Sequence, residues 1–242
     1  MNIIVIAVTI LFIFLTFDLE GALDLLLSPY FLIFSSFIEF VLIIVPIMYV
    51  GKYLENPSLK NRLRILGFTV KGFKPLKVLK EIFIGLMFAV LGVILVFSVS
   101  FLMELLTYSI FGSEVLQNSL SESTDIDIII SSSDYLSLTL LILIMILVIG
   151  TSEEILFRGF LQKGLKRTLG KWWGLTLTAL IFSLIHLIGT FLLAFSLELF
   201  LISFLLSFFP YFTISLLLGF IYDWRKENLI AVVITHGFYD AF

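Results

Sequence analysis

Cysteine is absent from this chain and charge is scarce. Without a thiol, disulfides, thiolate metal sites and a cysteine nucleophile are all excluded. Charged residues make up 14% of the 242 residues, against about 25% in a soluble domain. There are two His and five Pro. No glycine-rich phosphate loop occurs, so a nucleotide is not expected as a ligand, and neither is nucleic acid. What fills the chain instead is apolar: 60% hydrophobic residues, 27 of them Phe, with a mean hydropathy of +1.17. A soluble core of this size has no room for that many Phe side chains, and the excess must face lipid.

A membrane span needs roughly 20 apolar residues. Ile82 to Met103, Tyr135 to Ser152 and Leu199 to Tyr222 carry no charge, and Tyr30 to Gly51 is broken only by Glu39. Leu229 to Tyr239 is a shorter run whose continuation to Phe242 adds only Asp240. The first 17 residues are apolar but lack a basic leader and a small-residue cleavage site, so they read as a retained span. The expected fold is all-α, a polytopic transmembrane helical bundle of about 7–8 spans. It forms a single integral-membrane domain over 1–242.

The 15 basic residues fall in three clusters: eight between Lys52 and Lys80, five between Arg158 and Lys171, and the pair Arg225 and Lys226. The positive-inside rule puts all three in the cytoplasm. The segment from Thr107 to Asp134 has five acidic residues and no basic one, which suits the opposite side. Two spans fit between Lys171 and Arg225, leaving a surplus around Phe191 to Leu206. This surplus is expected to be an interfacial or re-entrant piece, with Pro210 kinking the helix after it.

Ionisable groups inside spans are expensive, and each is a functional hypothesis. Glu154 and Arg158 are spaced i,i+4 on a helix and can pair. Glu153 lies about 100° around from Glu154, which leaves it as an unpaired carboxylate away from bulk water and a candidate general base. His236 and Asp240 are again i,i+4, so the carboxylate can accept from one ring nitrogen and fix the tautomer. His186 follows Phe182 by one turn. If the three helices face one another, carboxylate, imidazole and water make a hydrolytic site. Glu153 would take a proton from water, His186 would orient that water, and His236 would support the oxyanion.

These residues resemble the motifs of the CAAX-protease and bacteriocin-processing (CPBP, or Abi) family of intramembrane proteases. That family carries E-E-x-x-x-R, F-x-x-x-H and H-x-x-x-N or D in order. Here they stand as Glu153-Glu154…Arg158, Phe182…His186 and His236…Asp240. The match covers about Gly150 to the C-terminus, within a motif-bearing catalytic core of about 135–242. The resemblance implies an active site buried between helices. It implies an endopeptidase cutting a membrane-associated peptide or prenylated protein, in a prokaryotic cell membrane, with the site opening towards the cytoplasm. It assigns Glu153 as base and His186 as its partner, puts His236 and Asp240 around the oxyanion, and gives Glu154 and Arg158 supporting roles. The family was long called metalloproteases, and Glu153, His186, His236 and Asp240 form a donor set that could hold Zn²⁺. A metal-free, glutamate-driven reaction is also consistent with the motifs.

CAAX-cleaving members tend to end the last motif in Asn, whereas this chain has Asp240. An amide can donate to an oxyanion, and an ionised carboxylate only accepts. Asp240 is therefore expected to orient His236, to ligate a metal or to be protonated. The marks of other intramembrane proteases are missing: no H-E-x-x-H, no G-x-S-G and no G-x-G-D occur. Two other classes stay open. One is a non-catalytic membrane immunity or interaction protein. The other is a transporter relaying protons through Glu39, Glu104 and Glu198, for which the expected alternatives are a buried hydrogen bond, the outer end of a span and the interfacial piece, respectively.

Overall fold

The computed structural model describes residues 16, 21, 28–68, 75–121, 133–188 and 196–241. Among these residues every regular element is a helix. Four helices are long and apolar enough to cross a membrane: α1 (Pro29–Gly51), α3 (Pro75–Phe111), α5 (Tyr135–Leu169) and α7 (Leu197–Trp224). The others are α2 (Leu59–Ile65), α4 (Ser113–Ser121), α6 (Lys171–His186) and α8 (Leu229–Asp240). The 16 residues of α6 and 12 of α8 rise only about 24 and 18 Å. They fall short of the roughly 30 Å hydrocarbon core. The expected first span, within residues 1–17, lies outside the described residues but for Thr16.

Side chains start the helices where the sequence offers an oxygen. Ser28, Asp134, Ser196 and Asn228 each accept from a backbone N–H in the first turn of α1, α5, α7 and α8. These bonds satisfy donors that have no intrahelical partner. Pro29 occupies the first turn of α1, where its missing N–H costs nothing. Gly170, at φ +90°, lets α5 turn directly into α6.

One expectation is corrected. Residues 197–206 are not a separate re-entrant piece. They begin α7, which continues through Pro210 to Trp224 as one helix, because neighbouring helices can absorb the backbone group that proline frees. Residues 191–195 lie outside the described residues. The helix that carries the two glutamates continues past them. α5 runs on to Leu169, which puts Glu153 about 27 Å from its start and about 24 Å from its end.

The core collects on α8, which packs along α3, α5 and α7. Leu229, Ala231 and Val232 are fully buried, together with Leu218, Ile221 and Tyr222 of α7. Outside this core the helices present large apolar side chains, among them Leu76, Phe83, Phe97 and Leu147. This is the pattern of a bundle solvated by lipid.

Among the described residues, the three basic clusters meet at one end. Lys163 donates to the Ile65 carbonyl and pairs with Glu227 at 2.9 Å, and Lys166 pairs with Asp223 at 2.7 Å. Arg225 binds both carboxylate oxygens of Glu81. Burial opposes the ionisation of Glu227, but Lys163 and Lys166 outweigh it and hold that carboxyl below its ordinary value.

Candidate active site

Glycines set the approach of the two helices that carry most of the site. A Cβ on Gly237 of α8 would collide with the Ile146 Cα of α5, and one on Gly150 would lie 3.1 Å from the Gly237 nitrogen. Small residues facing each other bring backbones close inside a membrane bundle. Here they press His236 against the turn holding Glu153 and Glu154. α5 is also widened on both sides of that turn. Met145–Ile149 and Ile155–Gln162 take π-helical hydrogen bonding, with an α-helical Gly150–Glu154 between them. Such stretches are rare and recur at functional sites because they re-aim side chains.

All six residues singled out from the motifs converge. Glu154 and Arg158 pair at 2.8 Å with both side chains fully buried. The same guanidinium donates to the Ser215 hydroxyl at 2.9 Å and to the Ser215 carbonyl, and it lies 5.1 Å from the centre of the Phe182 ring. Glu154 Oε1 also accepts from His236 Nδ1 at 2.6 Å. The sequence leaves that second ring nitrogen open; the structure gives it to Glu154. On the other edge, His236 Nε2 lies 3.2 Å from Asp240 Oδ2 and 3.6 Å from Glu153 Oε2. A neutral imidazole has one N–H, so it donates from both nitrogens only as the doubly protonated ring. Both nitrogens of His236 face carboxylate oxygens.

His186 is fixed differently. Its Nδ1 lies 2.9 Å from the Phe182 carbonyl, which can only accept, so Nδ1 carries the proton. The neutral ring then keeps a lone pair on Nε2, which points towards Glu153 Oε1 at 3.9 Å. Phe182 and Tyr211 flank the ring at centroid distances of 4.2 and 4.5 Å. Glu153 Oε2 is buried without a hydrogen-bond partner. The gap between Glu153 and His186 is too wide for a direct bond, and one water oxygen can reach both.

The donor set matches zinc in kind, two imidazoles with carboxylates. Yet among the described residues no three His, Asp or Glu side chains are arranged to hold a metal ion. The residues therefore do not fit a metal as they stand, and no step below is routed through one.

Several contributors escape the motif reading. Tyr211, Ser215 and Gly219 repeat every four residues along α7, a small and polar stripe in an apolar helix. Tyr211 meets His186, Ser215 holds Arg158, and the Gly219 carbonyl accepts from Gln162 at 3.1 Å. Glu39 of α1 comes within electrostatic reach of Glu153. Its Oε2 is buried without a partner rather than in the hydrogen bond expected of it. Glu104 directly follows the uncharged run of α3, which continues as a helix to Phe111. It lines a cavity of about 480 Å³ together with Val93, Phe97, Ser100, Tyr211 and Asp240. Glu198 sits exposed in the first turn of α7, where an acid suits the helix dipole.

Residues 135–242 match the family model described as Type II CAAX prenyl endopeptidase Rce1-like, which bears out the resemblance carried by the three motifs. No curated protein and no solved structure matches the chain.

Proposed function

We propose that this chain, Rce1-like over its C-terminal part, is an intramembrane endopeptidase that hydrolyses a peptide bond in a membrane-associated substrate with water activated by Glu153. Its basic end would face the cytoplasm under the positive-inside rule. The observation that carries the reading is a buried Glu153 carboxylate whose Oε1 faces, at 3.9 Å, a His186 whose tautomer leaves Nε2 as an acceptor.

A water between them donates one hydrogen to Glu153 and the other to His186 Nε2, which turns its lone pairs away from both groups and towards a carbonyl carbon. Attack forms the new C–O bond as Glu153 takes the proton, and the carbonyl electron pair moves onto oxygen. His236, donating from Nε2, steadies that oxyanion. Glu153 then returns the proton to the amide nitrogen as the C–N bond breaks, leaving a carboxylic acid and an amine. Asp240 accepts from His236 and competes for the same N–H, so it positions the ring rather than donating to the oxyanion. Glu154, clamped by Arg158, holds the other edge of that ring.

The test is product identification. Wild type and Glu153→Ala, purified at matched yield, are incubated in proteoliposomes with peptides bearing a free or prenylated C-terminal Cys. Fragments are then read by mass spectrometry. The proposal expects fragments from wild type alone. Equal fragmentation by both proteins, or none by wild type across the peptide set, would remove it.

A further inference from the structure

The 480 Å³ cavity beside Asp240 leads away from the basic end of the bundle. Gly92 of α3 lies level with Tyr239, since a Cβ on it would come 3.8 Å from that ring. From there the cavity follows one face of α3, through Val93, Val96, Phe97 and Ser100, to Glu104. These positions recur at three- and four-residue steps and share a side of the helix. Eleven residues separate Val93 from Glu104, about 16 Å of rise towards Phe111. Phe97 and Phe101 form part of the wall while remaining 77% and 57% exposed, so the cavity opens sideways to lipid.

Among the described residues, no basic side chain lines the cavity with Glu104. None of the 15 basic residues falls between Lys80 and Arg158 or between Lys171 and Arg225 in the sequence. No described donor pairs with Glu104. The cations in the site are both buried and already engaged: Arg158 by Glu154 and Ser215, and the doubly protonated His236 by Glu154 and Asp240. A substrate's terminal carboxylate would thus find two carboxylates in the cavity, Asp240 and Glu104, and no cation. A Lys or Arg side chain would instead find a carboxylate at the end of an aromatic wall of Phe97, Phe101, Tyr211 and Tyr239. Aromatic faces and carboxylates both attract cations.

We propose that this cavity holds the substrate beside the scissile bond and that Glu104 selects peptides carrying a Lys or Arg side chain there. The inference rests on the endopeptidase reading and adds its substrate class. An extended chain advances about 3.4 Å per residue, so the basic residue falls within about five residues of the cut.

Binding tests this apart from turnover. Glu153→Ala protein is titrated with N-acetylated, C-amidated apolar dodecapeptides, each with a single Lys at a different position, and with norleucine and Glu counterparts. Capping both ends removes the terminal ammonium as an alternative cation. At one position Lys should bind roughly tenfold tighter than norleucine, the size of one charge-assisted bond. Adding Glu104→Gln should erase that difference, and Glu104→Lys should turn the preference towards Glu. Equal or undetectable binding of Lys and norleucine peptides, or a preference that survives Glu104→Gln, overturns the inference. Cleavage by wild type without Lys preference would leave the endopeptidase standing and remove only this substrate class.

Discussion

Replacing Gly237 by Ala adds one methyl group at the seam between α8 and α5. Its Cβ would overlap the Ile146 Cα and stand 3.1 Å from the Ile146 Cβ, where carbon atoms prefer about 3.5–4.0 Å. A backbone atom cannot rotate away, so the helices must part by about 1 Å. The bond from His236 Nδ1 to Glu154 crosses the same seam at 2.6 Å. An extra 1 Å carries it beyond hydrogen-bond reach. Overpacking costs about 1–3 kcal/mol, and a lost bond to a charged group about 1.5–3 kcal/mol. The better helix propensity of Ala returns up to about 1 kcal/mol. The net expectation is a destabilisation of about 1.5–5 kcal/mol, with cleavage falling further than stability alone explains. Gly164→Ala is the control. That position is helical and exposed, and a Cβ there meets nothing within 4 Å, so propensity alone acts. Thermal unfolding in detergent and peptide cleavage are measured on both variants. A Gly237→Ala protein as stable and active as Gly164→Ala would refute the argument that this crossing positions His236.

Arg158→Met leaves the buried Glu154 without its guanidinium and should cost about 3–5 kcal/mol. The double variant Arg158→Met, Glu154→Gln should recover part of that loss, as a double-mutant cycle on unfolding in detergent would show. The carboxyl of Glu227 is held below its ordinary value when folded. Its contribution is therefore complete above the unfolded value of about 4.3 and is lost as pH falls through the depressed folded value. Glu227→Gln should unfold more easily at neutral pH and show a flatter acid limb in a pH series of unfolding temperatures. Because no three donors are arranged around a metal position, treatment with a chelator should leave cleavage unchanged. Loss of activity restored by added Zn²⁺ would show that these donors close on a metal during turnover.

Much of the site was legible because its bonds are local. Glu154 with Arg158 and His236 with Asp240 are each one helical turn apart, and the structure pairs both. The apolar runs located the long helices because lipid demands continuous hydrophobicity. That same uniformity hid the rest. A helix apolar on all sides has no face from which to read its neighbours, so neither the crossing at Gly150 and Gly237 nor the approach of Glu39 to α5 could be foreseen. The π-helical stretches around Gly150–Glu154 depend on tertiary packing and leave no period in the sequence. The stripe of Tyr211, Ser215 and Gly219 did carry a signal, a four-residue repeat of small and polar groups, which pairs α7 with Arg158 and Gln162.

The central claim is that Glu153 is the base that activates water. The most direct measurement is the single-turnover cleavage rate of Glu153→Gln beside wild type, on one peptide that wild type cuts, with both proteins shown to be equally folded. The amide keeps the shape and cannot take the proton, so the rate should fall by about 10²–10⁴-fold. A Glu153→Gln protein that cleaves at a rate close to that of wild type would contradict the account.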